Sequence, residues 1–218
     1  MSRISSARFS PLARTRIAVL ALAAAAALVL SGCQGGSTPA TTDSTTASPT
    51  TSATPTPSAT PTAAYKPADA KGKAQNVPVP VMPELAKENT KEGLEAFVGY
   101  YFQSLSYAYE TGDTQLVSAA TSGTCTFCST LTDSVTSNTK DGRWMVGGKL
   151  TTPVVESLWT GEPGSQQAKV QVLQTAIEYF DADGSVGQPS SPAINDAAAV
   201  IARYENNSWI VSDMGLIR

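Results

Sequence analysis

The sequence predicts an α+β domain in which N-terminal helices pack on a curved antiparallel meander sheet, preceded by a disordered tether. Three observations predict it. Between residues 89 and 138 apolar side chains recur every three or four positions, the period of a helix with one buried face. From Arg143 onward the period falls to two, with β-branched and aromatic residues alternating with polar ones. Ahead of both, Tyr65 is the only large apolar residue between Cys33 and Val77. Helices followed by a run of strands belong to the α+β class, and residues 82–218 are enough for one domain with a single core.

The first 32 residues carry Arg3, Arg8, Arg14 and Arg16 with no acid, then the apolar run from Ile17 to Leu30. That run is short of the roughly 20 residues a bilayer span needs, so a cleaved signal is expected, and the dispersed arginines fit general secretion. It closes on Leu30-Ser31-Gly32-Cys33, which resembles the lipobox of bacterial lipoproteins. The resemblance implies a diacylglyceryl group on Cys33, which becomes the mature N-terminus. Two acyl chains suffice for stable anchoring.

Residues 33–81 are rich in Thr, Ser, Pro and Ala and cannot bury enough surface to offset backbone ordering. A linker of about 45 such residues reaches between about 40 Å as a coil and roughly 140 Å when stretched. It would hold a domain off the membrane, within the cell wall.

Within residues 82–218, Asn89 and Glu92 have the spacing of a capping box. Leu94, Phe97, Val98, Tyr101, Leu105 and Ala108 then form the apolar stripe of a helix ending near Gly112. Asp113 is placed to cap a short second helix with Leu116, Val117 and Ala120 inward, and Thr124 a third from about Cys125 to Asn138. Strands are expected near Trp144 to Leu150, Pro153 to Trp159, Ala168 to Phe180, Ala198 to Glu205 and Ser208 to Met214. The inward phase slips by one residue between Val172 and Leu173, which predicts a bulge and a bend. Asn206 and Asn207 suit the positive φ of a tight hairpin.

The stretch NTKEGLEAFVGYYFQSLSYAYETGD, followed by the Cys125/Cys128 pair ahead of another helix, resembles a family of small lipoproteins of unknown function from high-GC Gram-positive bacteria. The resemblance covers about the last two thirds of the chain. The element order is also similar to the cone-shaped fold of nuclear transport factor 2-like domains, helices and then a curved sheet enclosing a pocket. Neither resemblance implies a reaction, since fold does not fix function.

The chemistry available is narrow. The chain has three cysteines and no histidine. With Cys33 given to lipid, Cys125 and Cys128 are an isolated pair in an oxidising compartment, where a structural disulfide is the default. A redox-active pair is the alternative, because a helix start lowers a thiol pKa. Zinc would find only carboxylates to complete its four ligands, so no metal is expected, and no cofactor motif is present. A Ser-His-Asp nucleophile is excluded. Ser137 and Lys140 match SxxK without the SDN and KTG motifs that accompany it, and the expected reading is a helix end. Asp181-Ala182-Asp183-Gly184 opens like a calcium loop, but the position of its bidentate Glu holds Pro192, so a hairpin tip or the start of a mobile loop to Asn195 is expected. Asn206-Asn207-Ser208 fits the glycosylation pattern and is read as a turn.

Charge narrows the partners. The chain has 15 Lys+Arg against 18 Asp+Glu, and removal of the four signal arginines leaves 11 − 18 = −7. An acidic chain without a basic cluster does not suit nucleic acid, whose phosphates must be neutralised. The expected function is therefore a lipid-anchored, extracytoplasmic binding domain on the outer face of the cell membrane, non-catalytic, with an envelope protein, a glycan or a small apolar ligand as partner. Phe97, Tyr101 and Trp159 are the expected pocket lining, although aromatics at these positions equally fill a core. A thiol-disulfide oxidoreductase using Cys125 and Cys128 is one alternative. A cone-fold carrier or isomerase is the other, and would need a buried carboxylate among Glu95, Asp133, Glu156, Glu178 and Asp213.

Overall fold

The computed structural model describes residues 63–217. The signal, Cys33 and the linker up to residue 62 lie outside the described residues.

Three helices come first, α1 (Lys91–Thr111), α2 (Gln115–Ala119) and α3 (Thr126–Thr139). The cap of α1 is Thr90, one residue after the expected Asn89, and its hydroxyl accepts the Gly93 N–H at 3.0 Å. Gly93 is required there, since a Cβ would lie 2.1 Å from the Glu88 carbonyl oxygen where the chain folds back into the helix. All six residues of the expected stripe are buried. Gly112 ends α1 with φ 81°, its N–H donating to the Ala108 carbonyl, because only glycine takes the left-handed cap without cost. The Asp113 carboxylate accepts from Gln115 N at 2.9 Å at the start of α2.

Seven strands follow. They are β1 (Trp144–Gly147), β2 (Leu150–Ser157), β3 (Ser165–Gln174), β4 (Ile177–Phe180), β5 (Val186–Ser191), β6 (Ile194–Glu205) and β7 (Ser208–Ile217). They form two antiparallel sheets, ordered β1-β4-β5 and β2-β3-β6-β7. The fold is mixed α+β.

The two sheets meet at a corner. Gly147 and Gly148, with φ of 83° and 70°, turn β1 into β2 while Thr175-Ala176 turns β3 into β4. Pairing runs through the corner: Gly148 N donates to Ala176 O and Thr175 N to Lys149 O, each at 3.1 Å. The bend thus lies about two residues beyond the expected phase slip. Ala168, Val170 and Val172 point inward, Leu173 does not, and the inward phase resumes at Ile177. The one strand expected over Ala168 to Phe180 is two, β3 and β4, and with β1 and β2 they make a bent hairpin of four.

Strand β5 was not foreseen; the loop expected to Asn195 contains it. Its sequence VGQPSS is solvent-exposed almost throughout and includes Pro189, so it has no apolar period to detect. The last hairpin turns on Asn206 and Asn207, both at positive φ as expected.

Residues 63–81 also differ from the expected tether. Lys66 and Gln75 exchange backbone hydrogen bonds at 3.0 and 2.9 Å, and Asp69 and Gly72 pair within them. The Asp69 carbonyl accepts from Trp144 Nε1 at 2.9 Å, and the Tyr65 hydroxyl donates to the Glu110 carboxylate. This strap has no core of its own. It is held by its own ladder and by polar groups of the domain, which composition does not reveal.

The core lies between α1 and the inward face of β2-β3-β6-β7. Leu94, Phe97, Val98 and Tyr101 share it with Val170, Val200, Trp209 and Val211, all essentially inaccessible. Each such side chain contributes about 1.5–3 kcal/mol of burial.

Candidate functional site

Cys125 and Cys128 form a disulfide, with Cα atoms 5.3 Å apart. Cys125 rather than Thr124 caps α3, its sulfur accepting the Cys128 N–H at 3.2 Å. Thr124 instead donates to the Ser212 carbonyl at 3.2 Å, tying the turn to β7. Both cysteines are buried, at 0 and 1 % exposure, and sit in the same apolar cluster as Val117 and Val135. With the two residues at 0 and 1 % exposure, an attacking thiolate has little access to either sulfur without local opening, and the geometry is that of a staple across the first turn of α3.

The three residues expected to line a pocket are placed in two different settings. Phe97 and Tyr101 are fully buried in the core. The Tyr101 hydroxyl meets Thr121 Oγ1 at 3.3 Å, and burial pushes this phenol up. Trp159 is only partly buried, packs edge-on against Trp209 with ring centres 6.1 Å apart, and faces a separate concavity described below.

An apolar cleft of about 70 Å³ opens where α1, α3 and the sheet diverge. Phe102, Leu105 and Tyr109 line it from α1, Phe127 and Leu131 from α3, and Ile194, Met214 and Leu216 from β6 and β7. Leu216 is 44 % exposed at its rim. Gln174 contributes the polar edge, and burial raises the Tyr109 phenol. The expected stripe of α1 took in Leu105 but not Phe102 and Tyr109, which lie three residues before it and four after it on an adjoining face. That spacing was the available signal.

The remaining sequence candidates do not converge. Asp133, Glu156, Glu178 and Asp213 are exposed, and none lines the cleft. Glu95 is partly buried and accepts from Ser157 N at 3.0 Å, joining α1 to β2. Ser137 donates to Ser134 O at 3.0 Å and Lys140 closes α3, a helix end. Asp181 to Gly184 forms the tip between β4 and β5, with Ser185 donating to Asp183 Oδ1 and holding that carboxyl below its usual range. Among the described residues no three His, Cys, Asp or Glu side chains are grouped to hold a metal ion. No helix among them is long and apolar enough to cross a membrane.

A second concavity of about 240 Å³ lies between the strap and α1, with Tyr65, Ser106, Glu110 and Lys149 around it. The Glu110 carboxylate pushes the Tyr65 phenol up to about 12, first through the hydrogen bond it accepts.

Among solved structures, the chain is similar to the intermembrane space region of the chloroplast protein ARC6, at 12 % identity and TM-score 0.38, over 60 % of this chain and 98 % of that one. It is similar also to an uncharacterized protein with a cystatin-like fold from Caulobacter vibrioides, at 16 % identity and TM-score 0.38, over 56 % of this chain and 87 % of that one. None of the curated proteins matches it. A family model does match, over residues 63–215, and so takes in the strap as well as the helices and both sheets. The chain belongs to the family of unknown function DUF6318.

Proposed function

We propose that the chain is a lipid-anchored lipoprotein of a high-GC Gram-positive envelope, held by diacylglyceryl-Cys33 on the outer face of the cell membrane, whose domain binds a ligand or partner without catalysis. The observation that carries the binding reading is the apolar cleft between α1, α3 and the sheet. At about 70 Å³ it is about half the size of the roughly 150 Å³ cavity that accepts benzene, so it fits a branched alkyl group rather than a whole acyl chain. The occupant is the alkyl end of a small envelope ligand. The corner at Gly147-Gly148 supports the finer reading of a cone-like, nuclear transport factor 2-like domain, because it folds one sheet toward the helices. Exchange chemistry at Cys125 and Cys128 has no support from their burial.

The test is methyl NMR of the protein titrated with isobutanol and with hexanoate. Methyl signals of Leu105, Leu131, Ile194 and Leu216 shift and saturate, and Leu131→Glu at the rim abolishes the response. Shifts that are absent, or spread evenly over the molecule, would overturn the cleft as a binding site.

A further inference from the structure

The three tryptophans differ in one respect. Trp144 Nε1 donates to Asp69 O and Trp209 Nε1 to Glu88 O, each at 2.9 Å. Trp159 Nε1 has no partner among the described residues, although its ring is held edge-on against the buried Trp209. It borders a concavity of about 310 Å³, at the lower end of the range of roughly 300–1,000 Å³ for small-ligand sites. Opposite stands Tyr204, also packed edge-on against Trp209 at 5.2 Å, its hydroxyl fixed by donation to Lys87 O at 2.7 Å. Two half-open rings are thus positioned by one buried ring.

The polar lining divides into a frame and a free set. Gln166, 4 % exposed, forms the frame: its Oε1 accepts from Thr160 N and Thr160 Oγ1, and its Nε2 donates to Glu162 O at 2.7 Å. It thereby holds the loop from Thr160 to Gly164 as a wall. The Asn89 carboxamide, the Glu162 carboxylate and the Trp159 indole N–H are the free set, without side-chain partners among the described residues; Asn89 and Glu162 are exposed and Trp159 is partly buried. Gly161 keeps the indole open, since a Cβ there would lie 3.6 Å from Trp159 Nε1.

We propose that this concavity is a carbohydrate site that takes a pyranose unit of an envelope glycan. A pyranose has an apolar C–H face that packs on aromatic rings and an equatorial belt of hydroxyls that both donate and accept. The lining offers two rings, an N–H donor, an amide with both capacities and a carboxylate acceptor. Among the described residues Glu162 is the only charged one in the lining, so the site selects neutral or amino sugars and rejects uronates. It is distinct from the alkyl cleft and does not depend on it.

The test follows tryptophan fluorescence of the full protein during titration with tri-N-acetylchitotriose, cellotriose, the cationic glucosamine trimer and the anionic trigalacturonate. Expected is a saturable change with at least one neutral or cationic trimer and none with trigalacturonate. Trp159→Ala lowers that affinity at least tenfold. Gly161→Asn, which keeps the left-handed backbone and covers the indole N–H, lowers it comparably with an unchanged circular dichroism spectrum, so the proposal does not rest on one variant's folding. Glu162→Gln erases any preference for the cationic trimer over the neutral ones. Absence of saturable binding across the panel, or binding unchanged in Gly161→Asn, overturns the proposal. So does a site that takes oligolysine and no sugar, which would mark it as a surface for a basic peptide.

Discussion

At the residue scale, the molecule's unusual groups are a phenol and a disulfide. Tyr65 is paired with Glu110, and its proton is held to about pH 12 in the folded state against about 10 unfolded. A pKa raised on folding adds stability that is complete below pH 10 and is lost as pH rises through 12. Phenolate absorbance during alkaline titration should therefore show late-ionising tyrosines, Tyr65 together with the buried Tyr101 and Tyr109, and Tyr65→Phe should remove one of those late steps while leaving the others. The disulfide behaves oppositely, because its sulfurs are sealed in the core. A reductant added without denaturant should leave no alkylatable cysteine at positions 125 or 128, and reduction should follow unfolding. The double change Cys125→Ser, Cys128→Ser should cost about 2 kcal/mol in urea denaturation, the loop-closure contribution of so short a ring. The pairing was legible from a count of cysteines and the export that the first 32 residues led us to expect. The burial that separates staple from exchange centre was not, because it depends on Val117 arriving from α2 to pack with Val135 of α3.

At the element scale, glycines decide where the chain turns. Gly147→Ala would place a Cβ 2.1 Å from the Ala176 carbonyl oxygen, at the corner where β1 becomes β2. It should destabilise by roughly 3 kcal/mol, and thermal unfolding would show it. Gly112→Ala meets only the Thr139 side chain, at 2.7 Å, and should cost roughly 1–2 kcal/mol, mainly for the left-handed cap. The three helices, of 21, 5 and 14 residues, were legible because each has a capping residue near its start and apolar positions at helical spacing. The corner was half legible: the slip at Val172-Leu173 announced a bend, while its position was fixed by Gly147-Gly148 on the partner strand, far away in sequence. Strand β5 and the strap were illegible for a shared reason. Both are stabilised by hydrogen bonds to a neighbour rather than by apolar residues of their own. The candidate sites were legible only through Trp159. Tyr204, Asn89 and Glu162 join it through the β6-β7 hairpin and the entry to α1, contacts that no local pattern encodes.

At the scale of the whole molecule, the anchor and the domain boundary are the properties to test. Cys33→Ala should release the protein from membranes or leave its signal uncleaved; a mature-sized chain still retained on membranes would refute the anchor. Limited proteolysis should leave a resistant core that starts near Ala63 and includes the strap, since the ladder at Lys66 and Gln75 shields its backbone. The strap also sets a direction. It enters the domain beside Glu110, near the last turn of α1, whereas Asn89 and the Trp159 concavity lie at the first turn of the same helix. A helix of 21 residues separates them by roughly 30 Å. Tension on a chain anchored at its N-terminus would be applied at the far end from the sugar concavity, and would fall first on the Lys66–Gln75 ladder, which opens like a zipper before α1 is loaded.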